Sequence, residues 1–476
     1  MKNTIPRILV GGTHSGAGKT TVTLGLLSGF KNRGLKVQPY KVGPDYIDPS
    51  LHAEVAGRPS RNLDSFLCSE ETLLQIFIHG ARRSHLSVVE GVMGFFDGYS
   101  GTDERGSSAH IARMLDIPSI LVVDAGALSR SVGAMVLGYQ KYDPRVRWGG
   151  VFLNRVAGAV HLRYLSDAIR QATGLPVIGH LFQDAALRLP ERHLGLVPNQ
   201  EKRLPDAWRK ALDRQMNRQV DWKKLISLAK TARPLSSSRP DIFEERPGPR
   251  VRIGIAQDKA FCFYYQDNLD LLKARGAEII PFKPTVDSRL PPGVQGIYFG
   301  GGFPEVHAGP LSQNKPLKAG ILDAARKGIP IYAECGGLMY LGQSIRDFQG
   351  RDWKMAGVFP WRTVMEKKLK LAYVQGRAVR NNILFKKGAP FKGHVFHFSR
   401  LDSFERVPAT TSLFNGQFKK GKRMIESDGW QRHNALAGYA HVHFGEQPAL
   451  VDRWLDHCRP ATDPTLMREP IHWGFR

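Results

Sequence analysis

Cysteine is scarce in this 476-residue chain: four residues, Cys68, Cys262, Cys335 and Cys458, lie far apart with no CxxC pair. That spacing argues against a disulfide framework or a thiolate zinc cluster and accords with a reducing compartment. Long hydrophobic runs are missing too. Residues 1–7 hold no apolar signal segment, and no uninterrupted apolar run reaches bilayer length. A cytoplasmic protein with no membrane partner is expected. Acidic residues are under-represented, 43 Asp and Glu against 68 Lys and Arg, giving a formal net charge of +25. The basic residues are spread along the chain, with small clusters at Lys367, Lys368 and Lys370 and at Lys419, Lys420, Lys422 and Arg423. No recognition-helix, RRM or zinc-finger pattern accompanies them, so no nucleic-acid partner is expected. Steering of a polyanionic small molecule and an ordinary basic surface remain as readings of the charge.

What the chain does have is enough length for two or three cores. Its 42% hydrophobic and 23% charged content is that of a globular protein. Short apolar runs at 8–10, 36–40, 86–89, 119–123 and 150–153 alternate with helical patterns. This alternation predicts a parallel sheet covered by helices on both faces. From about Pro198 to Arg250 the chain turns polar, with prolines gathered at 234–240 and 247–249. That composition reads as a helical tail followed by a linker. A second β–α series begins at 251 and continues through 296–299 and 329–333, and no short repeat is evident. The expectation is two α/β domains, residues 1–200 and 251–460, joined by a tail and linker over 201–250.

The first apolar run leads into Gly12-Thr13-His14-Ser15-Gly16-Ala17-Gly18-Lys19-Thr20-Thr21. Backbone N–H groups of a Gly-rich turn at a helix N-terminus bind phosphate. Lys19 would reach the terminal phosphates of ATP, and the Thr20 hydroxyl would hold Mg2+. The strict phosphate-loop pattern would place glycine at Thr13, but here it comes one place earlier, at Gly12, as in P-loop proteins with a longer loop. A partition ATPase would carry a signature lysine where His14 stands. The alternative of a P-loop partition or regulatory ATPase with an inactive appended domain is weakened accordingly. Asp45 and Asp48 follow the second strand, and Glu90 and Asp97 follow the third. Glu90 and Asp45 are the metal candidates, since ligands gather at strand C-termini in such sheets. Asp48 and Asp97 have turn formation or helix capping as their competing reading.

Far downstream, Ala333-Glu334-Cys335-Gly336-Gly337 follows a strand and precedes the apolar run 338–341. This is a nucleophile elbow with sulfur in place of oxygen. The N–H of Gly336 can face an oxyanion, and Gly301 or Gly302 of another Gly-rich turn can supply a second donor. The general base should be a histidine distant in sequence. His441 and His443 would lie on the same side of a strand, so periodicity does not choose between them. His394 and His397 lack a third metal ligand, and the other cysteines read as small buried residues.

These motifs, in this order, resemble those of the cobyrinic acid a,c-diamide synthase family over nearly the whole chain. The resemblance rests on residues 13–21, 41–49, 90–98, 154–156, 260–265, 300–305, 333–337, 393–399 and 439–444. The N-terminal half is similar to dethiobiotin synthetase, and the C-terminal half to class I glutamine amidotransferases. The resemblance implies that Cys335 attacks the side-chain amide of glutamine with His441 as base. Where many such enzymes carry Glu two residues later, this chain has His443, which implies a Cys335–His441 dyad. It further implies that ATP bound by the loop residues phosphorylates a substrate carboxylate and that ammonia displaces phosphate. Asn154 would contact adenine; Asp45, Tyr46, Asp48 and Asp97 would line the tetrapyrrole and metal site; Thr20, Asp45 and Glu90 would hold Mg2+. The acceptor would be a polycarboxylate tetrapyrrole, which gives the basic surface a use. Cobyrinate, hydrogenobyrinate, nickel-sirohydrochlorin and sirohaem-type rings stay open as acceptors, and so does a homodimer.

Overall fold

The computed structural model describes residues 4–188, 191–192, 195–196, 201, 203–246, 250–405, 407–419 and 422–459. Pro198, Pro247-Gly248-Pro249 of the expected linker, and Lys420 of the second basic cluster lie outside these residues.

The N-terminal strands are β1 (Arg7–Gly12), β2 (Val37–Val42), β3 (Arg61–Leu63), β4 (Leu86–Glu90), β5 (Ser119–Asp124), β6 (Trp148–Val156) and β7 (Val177–Phe182). They form one sheet in the order β3-β2-β4-β1-β5-β6-β7, every pair parallel. Ile8, Leu9 and Val10 are fully buried, as a strand covered on both faces requires. β1 sits between β4 and β5, so its C-terminal end opens where the strand order reverses. The phosphate loop springs from that end into the helix Lys19–Lys31.

The polar stretch after residue 200 does more than trail. Its helices Asp206–Gln219 and Trp222–Lys230 each carry an apolar face. Trp208, Leu212, Met216, Trp222 and Leu225 close the core against Val22, Leu26 and Phe30 of the loop helix. Phe30 meets Trp222 edge-on at 5.3 Å between ring centroids.

After a short hairpin, β8 (Glu191–Arg192) and β9 (Gly195–Leu196), a second sheet is built from twelve strands. They are β10 (Val251–Ala256), β11 (Ala277–Phe282), β12 (Gly296–Phe299), β13 (Ile331–Glu334), β14 (Ser344–Arg346), β15 (Asp352–Lys354), β16 (Trp361–Ala378), β17 (Pro390–Ser403), β18 (Ala409–Lys419), β19 (Lys422–Arg432), β20 (Ala435–Gly438) and β21 (His441–Val442). The order β11-β10-β12-β13-β20 is parallel and forms the expected α/β centre. Long antiparallel strands β16 to β19 extend it, a feature that β–α alternation does not predict.

The two sheets share apolar packing. Leu63, Phe66, Leu73 and Phe77 belong to the same buried cluster as Leu271, Val374, Phe391 and Phe444. Polar ties cross the same boundary. Arg61 pairs with Asp267 and Asp270, Tyr373 donates to Asp64 Oδ2 at 2.8 Å, and the Ser69 N–H donates to Glu446 Oε2 at 2.7 Å. Among the described residues, no helix is long and apolar enough to cross a membrane.

Candidate active site

At the N-terminal end of the site, the loop wraps its own lysine. Lys19 Nζ donates to the carbonyls of His14 (3.0 Å) and Met93 (2.5 Å). Burial and the nearby Lys41 ammonium pull its pKa down to about 8. Gly18 has φ +98°, and a Cβ there would fall 2.0 Å from Asn154 Nδ2, so this position demands glycine. Asn154 Nδ2 donates to the Ala17 carbonyl at 3.0 Å, so the structure places it as a support of the loop. Thr13 Oγ1 meets His14 Nδ1 at 2.9 Å, and Ser15 and Gly16 are exposed on the loop's outer side.

Behind the loop lies a buried charge cluster. Thr20 Oγ1 donates to Glu90 Oε1 at 2.8 Å. Lys41 Nζ reaches the same oxygen at 2.8 Å, Asp48 Oδ2 at 2.5 Å and Asp45 Oδ2 at 3.9 Å. His52 Nε2 lies 2.6 Å from Glu90 Oε2. Burial alone would neutralise Glu90, but Lys41 and His52 hold its pKa well below the usual carboxylate range. Lys41 pays its own desolvation cost, yet the carboxylates around it raise its pKa. Asp48 moves the other way, pushed up first by burial and then by Asp45. One ammonium therefore faces three carboxylates, and burial followed by repulsion from Asp45 makes Asp48 harder to ionise than an ordinary aspartate. Among these residues, Asp45 Oδ1 accepts from the N–H groups of Ile47 and Asp48 and so caps the helix Ile47–Ala56. Asp97 accepts from the Gly94 N–H at 2.7 Å, holding the turn beside Thr13.

The sequence motifs gave no role to Lys41 or His52. Lys41 stands inside a quoted stretch, but its partners Asp48 and Glu90 are 7 and 49 residues away. His52 lies one helical turn after Asp48, a spacing that could have suggested a shared face.

At the other end, Cys335 adopts φ 46° and ψ −98° between β13 and the helix Gly336–Leu341, a strained turn for a residue with a side chain. Its Sγ donates to the Phe396 carbonyl at 3.5 Å, and the thiol stands close enough to the His441 ring to act on its charge. The candidate oxyanion donors lie together: a Cβ on Gly336 would come within 2.9 Å of Gly302 N. Gly301 packs closer still, since a Cβ there would sit 2.6 Å from His441 Cε1.

The structure separates the two histidines that periodicity left equivalent. β21 is just two residues long, and the backbone turns after Val442. His441 therefore faces Cys335, whereas His443 faces the other half of the chain. His443 Nδ1 lies 3.5 Å from Cys68 Sγ, and its Nε2 lies 3.8 Å from Asp267 Oδ2. A carboxylate does stand beside the base. Glu334 Oε2 lies 3.7 Å from His441 Nδ1, within ion-pair range though longer than a hydrogen bond. The residue before the nucleophile thus brings a carboxylate near the expected base through the strand-to-turn geometry. Burial works against a charged His441, but Cys335 and Glu334 outweigh it and hold its pKa up to about 10. His394 stacks on His441 at 4.8 Å and donates to or accepts from Tyr265 OH. Burial, then His441, drives its pKa well down. His397 pairs with the Ser399 carbonyl. Among the described residues, no three His, Cys, Asp or Glu side chains converge as a metal cluster.

Both ends open into one cavity of about 1540 Å³. Lys19, Thr20, Asp45, Asp48, Arg155 and Arg188 line it from the first half, and Phe263, Tyr373, His394 and His441 from the second. Tyr46 stands at the junction. Its ring stacks on Phe263 at 5.0 Å and lies 5.3 Å from His441.

Fold and site together define a nucleotide-binding α/β protein carrying a glutamine amidotransferase domain. Residues 8–197 match the CobQ/CobB/MinD/ParA nucleotide binding domain, and residues 252–449 match the CobB/CobQ-like glutamine amidotransferase domain. The chain is 42% identical to a cobyrinate a,c-diamide synthase of Dehalococcoides mccartyi over 94% of its own length and 97% of the relative's. Enzymes of the same name from Synechocystis sp. and Listeria innocua are each 41% identical, over 95% and 94% of this chain and 93% and 98% of theirs. The chain belongs to the cobyrinate a,c-diamide synthase family.

Proposed function

We propose that this chain is a glutamine-hydrolysing carbon–nitrogen ligase that converts the a and c acetate carboxylates of cobyrinate to amides, consuming ATP. The observation that carries the reading is the shared cavity, which the phosphate loop lines from one side and His441 from the other.

In the glutaminase half-reaction, Cys335 Sγ attacks the glutamine side-chain carbonyl while the N–H groups of Gly302 and Gly336 receive the oxyanion. The His441 imidazolium gives its proton to the leaving nitrogen. Ammonia departs, and water hydrolyses the glutamyl thioester to glutamate. In the synthetase half-reaction, a ring carboxylate attacks the γ-phosphorus of ATP, giving an acyl phosphate and ADP. Ammonia adds to the acyl carbon and expels phosphate, leaving the amide. Lys19 and the loop amides hold the phosphates, Asn154 keeps the loop in shape, Asp97 holds the turn beside the loop, and Asp48 and Tyr46 border the ring.

Thr20, Asp45 and Glu90 would hold Mg2+ through oxygen donors, Thr20 and Glu90 being already joined by a hydrogen bond and Asp45 lying across Lys41 from them. When bound, Mg2+ neutralises charge on the transferred phosphoryl group.

The test is product mass spectrometry with cobyrinate, ATP and either glutamine or ammonium chloride. Cys335→Ser should lose the glutamine-supported amides and keep the ammonium-supported ones. Equal release of ammonia from glutamine by wild type and Cys335→Ser would refute the reading.

A further inference from the structure

Position 443, where a third catalytic acid would be sought, holds a histidine turned to Cys68 across the domain boundary and to Asp267 of its own half. The His441 ring nevertheless needs something to orient it. Among the described residues, its Nδ1 is buried with no hydrogen-bond partner. The titratable side chains acting on the ring are Cys335, Glu334, His394, His397, Asp428 and the Tyr46 phenol. Two are carboxylates. Asp428 is occupied by the N–H groups of Tyr439 (2.8 Å) and Ala440 (3.1 Å), which shape the turn before His441. Glu334 is the one whose oxygen faces Nδ1, at 3.7 Å, with both side chains 1% exposed.

Glu334 is also held still. Tyr332 OH donates to Oε1 at 2.6 Å, the Val442 N–H donates to Oε1 at 3.1 Å, and Tyr298 OH donates to Oε2 at 3.0 Å. The Val442 contact ties the carboxylate to the residue after the base. The peptide bond to Cys335 ties it to the nucleophile. A fixed negative charge at this point selects the ring orientation that presents the far side of the imidazole to sulfur, and it stabilises the imidazolium that forms.

We propose that Glu334 is the positioning carboxylate of the glutaminase site, supplied from the residue before the nucleophile instead of from position 443. The inference rests on the glutaminase reading above.

The experiment is the pH profile of glutamine hydrolysis by the full-length protein and by Glu334→Gln and Tyr298→Phe, with ammonium-driven amidation as control. Glu334→Gln should lower kcat by about 10²-fold or more, since a carboxylate-to-amide change behind a catalytic histidine can cost up to ~10⁴-fold. Its alkaline limb should move to lower pH while ammonium-driven amidation stays at the wild-type level. A wild-type kcat and limb would overturn the proposal. So would a lowered kcat with an unmoved limb, which would make Glu334 a support of the strand end. Where Glu334→Gln does not fold, Tyr298→Phe decides. Removing its hydroxyl leaves Oε2 more basic, so the limb should rise, and an unmoved limb overturns the proposal. Failure of wild type itself to release ammonia from glutamine would remove the glutaminase reading first.

Discussion

Lys41 shows how much of this site depends on single charges. It is buried against Asp45, Asp48 and Glu90, and removing it would strand the fully buried Glu90 carboxylate without its ammonium. Breaking a buried pair by deleting one partner costs about 3–5 kcal/mol. Lys41→Met is therefore expected to lower stability by about that much, read as a urea midpoint, and to abolish ATP-dependent amidation. A variant with a wild-type midpoint would show that the cluster reorganises freely. The histidines carry a pH signature. His441 and His443 are both raised from 6.5 to about 10, because burial, which lowers them, is outweighed by Cys335 and Glu334 around the first and by Cys68 and Asp267 around the second. A raised pKa means that the folded state binds the proton more tightly than the unfolded state. Their contribution to stability is thus complete below about pH 6.5 and is lost as pH rises through about 10. Urea midpoints measured from pH 6 to pH 10.5 should fall along the alkaline side, and His443→Gln should flatten that fall.

At the scale of the element, short pieces of backbone decide which side chains meet. The bend after Val442 sends His441 and His443 to different partners, and a longer strand would have kept them together. Gly301 belongs to the same logic. Its missing Cβ makes room for the His441 ring, so Gly301→Ala should displace the base and reduce glutamine hydrolysis by about 10²-fold or more. Ammonium-driven amidation should survive, and comparison of the two rates with cobyrinate checks it. The sequence made the parallel strands readable because strands such as β1 and β12 are continuous apolar runs between turn signals. It made Cys335 and the phosphate loop readable because their geometry is local. Lys41, His52 and Glu334 were not readable as functional, because each gains its meaning from a partner brought by another strand. The long antiparallel strands were missed for a different reason. β16 carries exposed Lys367, Lys368 and Lys370 along its middle, so its outward run hides the apolar alternation at its ends.

On the scale of the whole molecule, the halves are one working unit. Apolar packing through Phe66, Phe77, Leu271 and Phe444 and the ion pairs of Arg61 fix the two sheets against each other. The consequence is a single cavity, about 1540 Å³, that both chemistries border, with Tyr46 at the seam. On the proposed function, ammonia released beside His441 would reach a carboxylate bound in that cavity over a short path. The most direct measurement uses glutamine labelled with ¹⁵N in its amide, together with a large excess of unlabelled ammonium chloride, ATP and cobyrinate, followed by mass spectrometry of the diamide. The account predicts that both new amides carry ¹⁵N despite the competing pool. Amides that carry the unlabelled isotope in proportion to the bulk ammonium would contradict it.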